Sequence, residues 1–242
     1  MRSARLYAYI FALFASPLAL AACVSGVNGS VDVAAGSSVS DASTVNGSVN
    51  LAAKAKANKA TTVNGSVNIA EGAHVGEAST VNGHVTLGSH ATAGSVETVN
   101  GGVTLEAGAT VSGNVEAVNG DLSLAAGSAV NGSLTNVNKH ITIDSAHVGQ
   151  GITTVNADID ITGNAVVDGG ITVKKPNDNG ILGIHIGTDR IPRIVIGAGA
   201  TVNGPLNFER PVQLFINDQA HVAGPITGAQ AVKFSGSAPP TS

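Results

Sequence analysis

Cys23 carries the only thiol of the 242-residue chain. A lone cysteine has no internal disulfide partner, so its sulfur is left as a nucleophile or a point of modification. Seven histidines, at positions 74, 84, 90, 140, 147, 185 and 221, raise the question of metal binding. His74, His147 and His221 each sit in the same Ala-His-Val setting but far apart, and His84 and His90 are six residues apart. No second cysteine and no tight His/Asp group accompanies them, so the spacing supplies no metal site. Asp158 and Asp160 fall on the same side of a strand with Asp168 nearby, suited either to weak Ca²⁺ contact or to plain solvation. A basic cluster formed by Lys174, Lys175, Arg190, Arg193 and Arg210, with Asp189 among them, is the candidate binding surface. Neither a Gly-x-Ser-x-Gly elbow nor a phosphate-binding Walker loop is present. The sequence therefore offers no catalytic residues, and a non-enzymatic protein without a cofactor is expected.

The setting of Cys23 adds to its meaning. Arg2 and Arg5 precede an apolar run from Leu6 to Leu20, which Pro17 interrupts and Ala21-Ala22-Cys23 closes. A basic start, a short hydrophobic stretch and small residues before the cut describe a secretory signal over residues 1–22. Leu20-Ala21-Ala22-Cys23 resembles the lipobox of bacterial lipoproteins. That resemblance implies acylation of Cys23, a palmitate-bearing mature N-terminus and attachment to the cell envelope. Val24 stands where an Asp would favour the inner membrane, so the outer membrane is expected, with a periplasmic or secreted soluble protein as the alternative. Loss of Arg2 and Arg5 would take the formal net charge from −4 to −6. Such a chain has no basic footprint for nucleic acid.

The residues after Cys23 are dominated by a repeat. Val-Asn recurs at Val27, Val45, Val63, Val81 and Val99 in an even beat, and again at Val118, Val137 and Val155. A period of roughly 20 residues signals stacked units, none of which buries its apolar face alone. Aliphatic residues fall six apart, as in Val33, Val39, Val45, Leu51, Ala57 and Val63, and are expected to point inward. Three such steps make one triangular coil with a short strand on each side. Trp is absent, Tyr occurs only at Tyr7 and Tyr9, and the many glycines supply tight turns. The fold class that follows is all-β: a single-stranded parallel β-helix, or solenoid, of about 18 residues per triangular coil. About eleven coils spaced ~4.8 Å would make a rod on the order of 50 Å long. Asn28, Asn46, Asn64, Asn82 and Asn100 should stack as a structural Asn ladder. Regular coils are expected over 23–173, an irregular insert over 174–193, further coils and a cap over 194–236, and a disordered tail over 237–242. Phe208, Phe215 and Phe234 are expected to close the C-terminal end of the core.

The unit Val-x-Gly-x-Val/Leu, as in Val45-Asn46-Gly47-Ser48-Val49, Val118-Asn119-Gly120-Asp121-Leu122 and Val202-Asn203-Gly204-Pro205-Leu206, resembles the repeat of the bactofilins. These are polymer-forming bacterial proteins built as a right-handed β-helix, so the resemblance implies right-handed winding and self-association. The signal segment departs from that family's usual cytoplasmic setting. Ile196-Gly197-Ala198-Gly199-Ala200-Thr201-Val202 is similar instead to hexapeptide acyltransferases, whose winding is left-handed. The leading expectation is a lipid-anchored envelope scaffold, self-associating or bound to an envelope polymer. An adhesin-like or glycan-binding module is the second, and a β-helix enzyme on carbohydrate or acyl substrates a distant third.

Overall fold

The computed structural model describes residues 23–176 and 190–240. Among them there is no helix; all regular structure is parallel strand stacked in about eleven coils, a β-solenoid. Each coil has three faces. The first is an eleven-stranded sheet that begins with Val31–Val33, Val49–Leu51 and Val67–Ile69 and ends with Ala231–Phe234. The second and third faces run as one bent strand in the early coils, Ser38–Asn46, Lys56–Asn64, His74–Thr80 and Thr92–Thr98. They then separate into pairs such as Thr110–Val111 and Val115–Asn119. The separation follows from one extra residue. Val111 aligns with Ala93, 18 positions earlier, whereas Val115 aligns with Val96, 19 earlier. The corner Ser112-Gly113-Asn114 absorbs the surplus, and the strands on either side keep their register.

Residues i and i+2 of a strand share a face, and this sets the core. Val49 and Leu51 enter it together, with Asn50 between them on the outside. Val67 and Ile69, and Val85 and Leu87, repeat the arrangement in the next coils. The cross-section is narrow, so Ala55, Ala73, Ala91 and Ala109 fill one corner with no exposed surface. The six-residue step holds inside for Leu51, Ala57, Ile69, Val75, Leu87 and Ala93. It fails for the most regular residue of all: Val27, Val45, Val63 and Val81 are 66%, 40%, 38% and 39% exposed. The residues that precede Val45, Val63, Val81 and Val99 are Thr44, Thr62, Thr80 and Thr98, all buried. Each Thr hydroxyl donates to a glycine carbonyl of the preceding coil: Thr44 to Gly29, Thr62 to Gly47, Thr80 to Gly65 and Thr98 to Gly83, at 2.8–3.1 Å. The Thr is inside because it satisfies a corner carbonyl that has no other partner there, and the alternation then turns the following Val outward.

The glycine of the stacked Asn-Gly pairs, from Gly47 to Gly120, has a separate cause. A Cβ on Gly65 would overlap the Gly47 carbonyl oxygen, and one on Gly83 the Gly65 carbonyl oxygen. Corners of successive coils pass too closely for any side chain. At the far end, Phe208 joins the core stack, but Phe215 and Phe234 form a separate cluster with Val195. Val195 and Phe215 lie between inward Ile194 and Ile196 and inward Leu214 and Ile216, so this cluster packs against the outside of the first face rather than closing the core. Ile226 of the last coil stays 37% exposed.

Two substitutions separate these causes. Gly83→Ala should destabilise the protein by about 3 kcal/mol, because backbone rather than a yielding side chain must move. Thr62→Val should cost about 1–3 kcal/mol through the orphaned Gly47 carbonyl. Urea denaturation followed by circular dichroism would measure both, and wild-type midpoints would refute the corner packing described.

Candidate functional site

The Asn side chains at the corner between the third and first faces form a continuous chain of amide hydrogen bonds. Asn46 donates to Asn28, Asn64 to Asn46, Asn82 to Asn64 and Asn100 to Asn82, at 2.9–3.0 Å. The ladder continues through Asn119, Asn138 and Asn156, well beyond the five expected residues. Each amide has its NH₂ toward the earlier coil, so the last carbonyl, on Asn156, has no asparagine above it. Arg210 donates to that oxygen and, at 3.2 Å, to the Val155 carbonyl. Guanidinium offers several N–H groups in a fixed fork, and here it caps the ladder.

The same corner lies between Ile171–Val173 and Arg193–Ile196, the longest interval between successive strands. Arg190 pairs with the Asp158 carboxylate and donates to the Asn156 carbonyl at 3.4 Å. The backbone N–H of Arg193 donates to the other Asp158 oxygen at 2.8 Å, and its guanidinium lies 3.7 Å from Asp160 and over the Phe215 ring. Arg210 also donates to the Arg190 carbonyl at 2.8 Å. Of the basic cluster expected to form a binding surface, Arg190, Arg193 and Arg210 therefore direct hydrogen-bonding groups at earlier coils, Arg210 reaching two coils down. Lys174 and Lys175 are exposed, and the Lys175 N–H donates to Glu209. Asp189 lies outside the described residues. Asp158 and Asp160, which the sequence leaves between calcium contact and solvation, are the acidic half of this network.

Histidine joins it. His140 Nε2 is 3.1 Å from Asp160 Oδ2, and that hydrogen bond, followed by the negative charge of Asp160, holds the imidazole above its usual pKa near 6.5. His147 bonds Asp168 at 2.8 Å, and this bond with that from Asn203 lowers the Asp168 carboxyl below its ordinary 3.8. His74, His147 and His221 lie on the outside of the second face, each in a different coil. Among the described residues no three His, Cys, Asp or Glu side chains converge on a metal-sized point.

Two open depressions lie on this side of the rod, the first along the first face and its turn to the second, the other at the ladder corner. One, of about 560 Å³, runs along the outside of the first face past Asp32, Asn50, Asn68 and Thr86 to Glu71 and Glu106. There Asn68 donates to Asn50 and Asn50 to Asp32, a second short polar ladder. The other, of about 550 Å³, is lined by Asp121, Lys139, His140, Asp158 and Arg190. In the first, the Ser89 hydroxyl and backbone N–H both donate to the Glu106 carboxylate, at 3.3 and 3.1 Å. Cys23 is exposed, its thiol 3.5 Å from Asp41, and the first strand, Val24–Ser25, begins immediately after it. The expected signal segment, 1–22, lies outside the described residues.

Comparison with family models, with curated proteins and with solved structures gives no match.

Two measurements test the corner. In a proton NMR titration His140 should show a midpoint above 6.5, and Asp160→Asn should bring it down. Because the folded-state value is raised, this pair stabilises the fold fully below about pH 6.5 and loses its contribution as pH rises through the folded value. The Asp168 contribution has the opposite sense, present above about pH 3.8 and lost as the solution becomes more acidic. Arg210→Met should destabilise by about 2 kcal/mol, since a hydrogen bond from a charged donor is worth ~1.5–3 kcal/mol. An unchanged denaturation midpoint would show that the ladder needs no cap.

Proposed function

We propose that this protein is a non-enzymatic, lipid-anchored rod of the bacterial cell envelope that serves as a structural scaffold. The observation that carries this reading is the position of Cys23, exposed and directly joined to the first strand at one end of the solenoid. An acyl chain there would hold the rod by its end, with no flexible tether between membrane and coil. Each buried methylene contributes about 0.8 kcal/mol, so several acyl chains give a firm anchor. The outer membrane is the proposed location, and right-handed winding the proposed hand. Coil-to-coil backbone bonding along the whole rod suits a stiff spacer.

A second reading, binding of an envelope glycan or peptidoglycan, is favoured by exposed Lys174 and Lys175 and by the mixed-charge depression around Lys139 and His140. Polar and charged groups of both signs in an open hollow suit a hydroxylated, zwitterionic polymer better than an apolar ligand. Pull-down on purified peptidoglycan, with Lys174→Ala/Lys175→Ala as the comparison, separates that reading from the first.

Labelled palmitate should appear on the wild-type chain and vanish from Cys23→Ala, which should move from the membrane to the soluble fraction. An unlabelled wild-type chain would reject the anchor.

A further inference from the structure

The outward Val column is an unexpected feature of the fold, and its two halves differ. Val27, Val45, Val63 and Val81 lie open on the third face, while Val118, Val137 and Val155, in the same column of later coils, are 3%, 1% and 1% exposed and pack together with Val99. One ladder of identical side chains is thus already an apolar seam along half of its length. The uncovered half is bordered on one side by the hydroxyls of Ser43, Thr61 and Ser79 and on the other by the Asn ladder. Charged side chains are set back a further column, where Lys59 pairs with Glu77 at 2.9 Å.

We propose that the open Val column, from Val27 to Val81, is the seam by which a second copy of this chain docks side by side, parallel, with a two-fold axis along the rod. This deepens the scaffold reading and rests on it. In that arrangement each Val meets its own counterpart. The Ser/Thr column of one copy then faces the Asn column of the other, whose amides keep one N–H and one lone pair outside the ladder. The result is an apolar centre with a hydrogen-bonding rim, repeated in register every coil. Both Cys23 residues fall at the same end, as two chains in one membrane require. An antiparallel pair would keep the Val contact but send the two anchors in opposite directions.

The area limits the strength. Four coils at ~4.8 Å and a strip roughly 15 Å wide bury about 300 Å² per copy, well under the ~800 Å² of a stable complex. The pair should therefore form where the chains are concentrated and co-oriented on a membrane, not in dilute solution.

Two packed sheets lie about 10 Å apart, too far for a direct disulfide, so a short bismaleimide is the suitable probe. Isolated envelopes from cells expressing full-length Val63→Cys should give severalfold more cross-linked dimer than Thr92→Cys, whose side chain points outward from the second face. Adding Val45→Lys and Val81→Lys to the Val63→Cys chain should bring dimer down to that control. Equal cross-linking at 63 and 92 would overturn the seam. Preferred coupling of Val45→Cys to Val81→Cys chains, over like with like, would overturn the parallel order. Palmitate labelling of the same strains keeps the two ideas apart. An unlabelled chain that still cross-links through residue 63 rejects the anchor and leaves the seam, whereas a labelled chain that does not cross-link rejects the seam alone.

Discussion

The whole molecule depends on each coil closing on the same triangular outline, because its backbone hydrogen bonds go to the coil above and the coil below. In a parallel stack an unmatched amide has no alternative partner, and an unpaired buried one costs about as much as a lost hydrogen bond. Closure therefore governs which positions vary. Coils differ in length, yet Val85 still faces Val103, Val103 faces Leu122 and Ile194 faces Leu214. Among the described residues, surplus chain is taken up at corners such as Ser112-Gly113-Asn114. The corners bear the constraint most heavily. Glycine is required where carbonyls of adjacent turns nearly touch, and Thr44, Thr62, Thr80 and Thr98 satisfy from inside the carbonyls that the sharp bend turns away from the ladder.

Much of this was written in the period. A strict beat with aliphatic side chains at alternate positions leaves few architectures open, and strand pairs such as Val49/Leu51 and Val67/Ile69 could be placed directly. The Asn ladder was legible for a similar reason: identical residues one coil apart must lie one strand spacing apart. What misled was polarity. Periodicity marks which residues are equivalent but not which side they occupy, and hydrophobicity usually decides that. At this corner the rule inverts. A buried Thr is stabilised by a carbonyl, and a Val sits outside, where its branched side chain suits an extended backbone.

The arginine network at the ladder corner was out of reach for another reason. Arg190 and Asp158 are 32 residues apart, and Arg210 and Asn156 are 54 apart. These separations do not count coils, because paired Ile159 and Ile194 are 35 residues apart rather than 18 or 19. Only the register of Ile159 against Ile194 reveals which coil follows which. From sequence the arginines looked like a surface waiting for a ligand. In the fold they are staples that fasten a break in the solenoid.

The interchangeability of the early coils gives the protein an adjustable height. From Asn28 to Asn100 every unit presents the same corner, the same inner hydroxyl and the same outer Val to its neighbours. Deleting or duplicating one unit in the gene would join surfaces that already fit, and would shift everything above by one strand spacing, about 4.8 Å. Gain or loss of whole units could thus set how far the distal end stands from its base in fixed increments, with no new interface to evolve.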